Sequence, residues 1–187
     1  MEDLYSLPKE KVLGQKVFRL STDFRQVLKI ICVLEDPDLP EYIRWLTALN
    51  LFYEPEVPKA YRREAMEYLA SFLSAGEGPG QPAPKLLDWQ QDADAIISGV
   101  NKVAGQEVRA LPYVHWWTFL SWFHGIEGGA LATLVSVRDK LSRGKKLEDW
   151  EKDYYRQNKQ KVELKKRYSA AEIAEQNRLK AMIGMEN

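Results

Sequence analysis

The segment "PYVHWWTFLSWFHGI", Pro112 to Ile126, restricts what this chain can fold into more than any other part of it. Placed on a helix at about 100° per residue, Phe119, Phe123, Trp116, Leu120, Tyr113, His124 and Trp117 fall within an arc of roughly 160°. A surface helix needs a narrower apolar face, so this one is expected to pack centrally against several others. Trp122 and His115 fall just outside the arc and beside each other, which makes them candidates for the edge of a partner-binding groove.

The segments on either side are also helical in pattern. Ser21, Thr22 and Asp23 offer caps for a helix in which Phe24, Val27, Leu28, Ile31 and Leu34 recur at three- and four-residue steps, ended by Pro37. A second helix is expected from about Pro40 to Tyr53, with Ile43, Leu46 and Leu49 or Asn50 along its stripe, and a third from Pro58 to about Ala75, stopping at Gly76. "GEGPGQPAPK" then interrupts all regular structure and reads as a flexible linker over residues 76–86. Beyond it, Asp88 with Gln91 suggests a capping box for a helix to about Ala104, and another helix runs from about Ala130 to Leu141. Upstream of all of these, "QKVFRL" reads as a short extended segment with no evident partner. The fold class is therefore mainly α: a compact multi-helix bundle over 16–144 with a short extended N-terminal segment, followed over 145–187 by a charged arm expected to hold a long helix from Leu147 to Tyr168.

Charge and composition narrow the function. Lys plus Arg and Asp plus Glu are balanced at 27 each, so total charge points to neither nucleic acid nor an anionic membrane. From Arg138 onward, however, 14 basic residues face 9 acidic ones. Acids interleave the basic run "RQNKQKVELKKRY", which favours a solvated face over phosphate binding. Leu147, Trp150 and Tyr154, with Val162, Lys165 and Tyr168, form an apolar seam suited to docking on a partner or back on the chain's own core. Trp150, Tyr154, Lys165 and Tyr168 join Trp122 and His115 as candidate partner-binding residues. The single cysteine, Cys32, fits a reducing cytoplasm, and neither a leader pattern nor a stretch of about 18 apolar residues is present, so the reading is a soluble protein.

No catalytic, cofactor or metal site is expected. Two histidines nine positions apart on a helix face different directions, and no nucleophile elbow or phosphate loop accompanies them. Asp88, Asp92 and Asp94 lack the glycine and terminal glutamate of a cation loop, and acids at a helix start are favoured by the helix dipole, so capping and solvation is their expected role.

Taken in order, "STDFR" at 21–25, "LEDPDL" at 34–39, "LFY" at 51–53, "DWQQDADAI" at 88–96 and "HWWTFLSWFHGI" at 115–126, with Arg138 soon after, resemble the bacteriophage gene product fifteen family. The resemblance covers about Lys16 to Tyr168, and the stretch "GVNKVAGQE" at 99–107 departs from the family's more aromatic character there. It implies a tail assembly chaperone of long-tailed phages. Such a protein binds the tape measure protein in the host cytoplasm, keeps it soluble, yields it to polymerising tail tube subunits and has no enzymatic activity. A minor structural component of the tail is the alternative, with nucleic-acid binding behind it, and the sequence leaves self-association open.

Overall fold

In the computed structural model, residues 6–76 and 83–182 are described, so most of the linker expected over 76–86 lies outside the described residues. The chain is mainly helical and carries one small sheet. Strand β1 (Glu10–Leu13) pairs antiparallel with β2 (Lys16–Leu20), Glu10 opposite Arg19 and Leu13 opposite Lys16. The two-residue turn between them places Gly14 at φ +59°, where a Cβ would also meet the Tyr61 ring at 2.6 Å. Only glycine satisfies both demands without strain. β2 alternates as a half-buried strand should: Phe18 and Leu20 point inward while Val17 and Arg19 face out. Its second partner is β3 (Tyr53–Glu54), so the extended segment expected at 15–20 gains two partners that local sequence did not reveal.

The helices follow in order. α1 (Phe24–Leu34) buries Phe24, Val27 and Ile30, and its N-cap Asp23 accepts the Arg25 amide at 3.0 Å. α2 (Glu41–Phe52) packs on it through Ala48, Leu49 and Phe52, whereas Ile43 and Leu46 of the expected stripe are half-buried and Asn50 is exposed. α3 (Arg62–Leu73) contributes Ala65, Leu69 and Phe72. α4 (Ala93–Ala104) ends at Gly105 with φ +68°, as the sequence suggested. Within the divergent stretch at 99–107, a Cβ on Gly99 would meet Ile126 at 2.7 Å, so Gly99 admits the Ile126 side chain. α5 (Trp116–His124) packs against α1 and α4, and α6 (Gly129–Ser142) against α4.

α5 is central, as its pattern required, but it starts later than the wheel assumed. Tyr113 precedes the helix and is exposed, while Trp116, Phe119 and Leu120 are buried and Trp117, Trp122 and Phe123 pack on the same core from its margin. Phe119 stacks on Phe24 at 4.4 Å between ring centroids, and Trp89 closes on Trp116 and Phe123 at 5.6 and 5.1 Å. The indole N–H groups of Trp116 and Trp117 donate to the carbonyls of Leu73 and Phe72, so each tryptophan's polar atom is satisfied at the end of α3. Main-chain bonds from Phe24 N to Val114 O and from Trp116 N to Thr22 O lace the start of α5 to the start of α1. Asp23 reinforces that junction by also accepting the Val114 amide at 3.1 Å. Its carboxyl would be raised by burial, but the Arg25 guanidinium and the Val114 and Arg25 amides outweigh that and hold it below the ordinary value.

Candidate partner-binding surface and an arm clasp

The continuous helix expected from Leu147 to Tyr168 does not form. α7 (Asp149–Gln157) stops at Asn158, α8 (Lys159–Val162) is a single turn, and residues 163–169 are not helical before α9 (Ala170–Met182) begins. The break after Val162 follows from competition for carbonyl groups. In a continued helix the carbonyls of Lys161, Val162 and Glu163 would accept from the amides four residues on. Here they are taken by side chains from elsewhere: Arg138 donates to Lys161 O at 2.6 Å and Val162 O at 2.7 Å, and Gln91 donates to Glu163 O at 2.9 Å.

Arg138 is the hub of this arrangement. Its Nη1 and Nη2 hold the two carboxylate oxygens of Asp92 at 2.6 and 2.9 Å, Nη1 also donates to Leu86 O at 2.9 Å, and with the two bonds to the arm all five N–H donors are used. Both side chains are almost wholly removed from solvent, at 4% and 3% exposure. Such a pair is tolerated only when its remaining hydrogen-bonding capacity is satisfied, and here Asp92 also accepts the Asp88 amide at 2.9 Å. Asp88 in turn receives Arg167 at 2.8 and 2.9 Å and caps the turn before α4 through the amides of Gln90 and Gln91. Burial alone would raise the Asp88 carboxyl, but those amides and the charges of Arg167 and Lys85 outweigh it and hold it low. Gln91 completes the clasp, its Oε1 accepting the Lys165 amide at 2.9 Å.

Asp88 and Asp92 therefore do more than cap and solvate. Asp88, Gln91 and Asp92 at steps of three and four present one face to residues 161–167, and Arg138 closes on them from α6. Apolar contact supports the grip: Val162 is buried with Leu134 and Val137, and Leu147, Tyr154 and Tyr155 pack around this satellite cluster. Nearby, Lys140 binds the buried Glu151 at 2.7 Å, which fixes α7 against the end of α6.

The candidate residues scatter across this frame. His115 is 2% exposed and offers no partner surface, because it is the N-cap of α5: Nδ1 accepts the Trp117 amide at 3.1 Å and Nε2 donates to Pro8 O at 3.0 Å. A groove shared with Trp122 is thereby excluded. Burial lowers the His115 pKa, with the Pro8 carbonyl opposing, and the geometry needs the neutral ring. Tyr154 is turned onto the satellite cluster with Leu147 and Val162, so this part of the seam docks on the chain's own core. Trp150 stays 54% exposed with its indole N–H on Glu148, and Lys165 is exposed. Tyr168, 38% exposed, lines a separate groove with Cys32, Pro37 and Ile173.

One surface escaped the sequence reading. Tyr42, Trp45, Leu46 and Leu49 on α2, with Arg62 and Met66 on α3, line an open groove of about 420 Å³ whose surface is mostly apolar. Tyr42 is 71% exposed at its rim. The signal was available, since 42, 45, 46 and 49 are spaced i, i+3, i+4, i+7, but the stripe drawn through Ile43, Leu46 and Leu49 took two of the groove's residues for core. Among the described residues no group of three or more His, Cys, Asp or Glu is placed to hold a metal ion, and no helix is long and apolar enough to cross a membrane.

No curated protein and no solved structure matches the chain. The family model described as Bacteriophage Gp15 protein matches residues 6–164, a span that begins just before β1 and ends within the clasped segment of the arm. The chain belongs to the Bacteriophage Gp15 protein family.

Proposed function

We propose that the protein is a phage tail assembly chaperone that holds the tape measure protein soluble in the host cytoplasm and releases it to polymerising tail tube subunits. The reading assigns it no enzymatic activity. Family membership supports a phage role, and the α2–α3 groove is the single structural observation that carries the chaperone reading. A long helical client has apolar stripes to hide, and a helix-wide groove with aromatic rims covers such a stripe reversibly. The groove's occupant in this reading is an amphipathic helix whose apolar residues recur at three- and four-residue steps.

Co-expression with the tape measure protein of the same phage, followed by size-exclusion chromatography with light scattering, tests it. A soluble complex of defined mass is expected, and Tyr42→Arg should abolish it while leaving the chaperone folded, because Tyr42 is largely exposed. A tape measure protein that stays insoluble beside this chain would refute the reading. Stoichiometric recovery of the protein from purified virions would favour a structural tail component in its place.

A further inference from the structure

The clasp grips the arm mainly through groups that every peptide carries. Within residues 161–167, Arg138 and Gln91 take main-chain carbonyls of Lys161, Val162 and Glu163, Gln91 accepts the Lys165 amide, and the side chains engaged are those of Val162 and Arg167; the rest of the arm adds Glu151 on Lys140 and the packing of Leu147, Tyr154 and Tyr155. The covered apolar cluster, built on Leu134, Val137 and Val162, is separate from the main core. The arm can therefore leave by a local opening that does not disturb the core helices. It is joined to α6 by exposed residues 143–146, where Gly144 at φ +62° ends the helix and Lys145 N returns to Lys140 O.

We propose that the clasp also accepts the arm of a second copy of this chain, so that two molecules exchange residues 147–168 across extended 143–146 hinges and close as a symmetric dimer. Every contact described for the arm is reproduced between copies, because the sequences are identical, and only the turn at Gly144 is given up. Charge favours the encounter modestly: the exchanged segment 147–168 carries seven basic and five acidic residues in a molecule that is neutral overall, so the remainder is negative by two. Exchange in this form is isologous and closes on itself. It predicts dimers and no open polymer.

The test uses the unaltered full chain in unlabelled and uniformly 15N-labelled form, mixed, incubated at high concentration and cross-linked with a lysine-reactive reagent. Lys85 lies 3.6 Å from Asp88, the carboxylate that Arg167 binds at 2.8 Å, so links from Lys85 to Lys165 or Lys166 report which arm occupies which clasp. Light scattering should show a dimer fraction that grows with concentration, and that fraction should contain light–heavy Lys85 to Lys165 or Lys166 links. A chain that is monomeric at its highest soluble concentration overturns the proposal. So does a dimer in which all such links join lysines of the same isotopic form. Deleting Lys145 and Lys146 shortens the hinge and should increase the dimer fraction at fixed concentration; a folded deletion variant that remains monomeric with the arm amides protected from hydrogen exchange also overturns it.

Discussion

Replacing Arg138 by methionine keeps most of the side chain's length and removes its charge and five donors. The change leaves the Asp92 carboxylate, 3% exposed, with the Asp88 amide as its remaining bond, and it frees the carbonyls of Leu86 and Val162, while Lys161 O keeps the Gln91 side-chain amide at 3.2 Å. Breaking a buried ion pair by deleting one partner costs about 3–5 kcal/mol. These two carbonyls do not add their full desolvation penalties of about 1–3 kcal/mol each, because a small outward shift of the arm lets water reach them. Full release of the arm is dearer: exposing Val162, Leu134 and Val137 at roughly 1.5–3 kcal/mol per fully buried side chain would forfeit about 4.5–9 kcal/mol. The arm therefore stays seated most of the time and the loss is that of the broken pair, about 3–5 kcal/mol, which for a chain of this size lowers Tm by roughly 6–20 °C. Thermal denaturation measures the total, and hydrogen exchange locates it, with amides of 158–168 losing protection before those of α1 and α5. The double variant Arg138→Met with Asp92→Leu should recover most of the loss, since no uncompensated charge remains. A single-variant loss below about 1 kcal/mol, or a double variant no better than the single, would refute the assignment of Arg138 as the compensated hub of the fold.

Three further outcomes follow from individual sites. His115 has a pKa lowered by burial, so the unfolded chain binds more protons than the folded one below the ordinary value of 6.5; stability should fall as pH drops through that value, and His115→Asn, which keeps a capping oxygen, should flatten urea-denaturation midpoints between about pH 5 and 6.5. Gly14→Ala should cost about 1–3 kcal/mol by chemical denaturation, because an L side chain is strained at φ +59° and the Tyr61 ring occupies the Cβ position. Phe119→Ala should cost about 3–5 kcal/mol, whereas Trp122→Ala should cost less because Trp122 lies at the core's margin; losses that are equal and small would place α5 on the surface.

What the sequence disclosed and what it hid separate along physical lines. Periodicity located α1, α3, α4, α5 and α6 because each buries one contiguous face, and that face recurs in the chain at fixed steps. The hairpin partner of β2 was hidden because "EKVL" has no strong alternation of its own; its strand character comes from pairing with a neighbour and from the Gly14 turn. The continuous arm helix failed for the opposite reason. Residues 147–168 have the composition of a helix, and nothing local says that Arg138 and Gln91, distant in sequence, will take its carbonyls.

The same competition explains why the motif "DWQQD" and Arg138 stood out with no chemistry attached to them. An arginine with five donors is satisfied only where carboxylate and carbonyl acceptors converge, and the chain assembles that convergence from three places: the turn before α4, the middle of α6 and the end of α8. None of the three is recognisable alone. Asp88 and Asp92 looked like helix-start acids because one of them is: Asp88 does cap the turn, and it binds Arg167 with the same carboxylate. A residue can answer a local rule and a tertiary demand at once, and the local rule then masks the tertiary one. His115 is the second instance, since its place beside Trp122 on the wheel presupposed a helix that had already begun at Tyr113. The Asp23–Val114 junction delays that start to Trp116, which turns a candidate groove residue into the cap that begins the central helix.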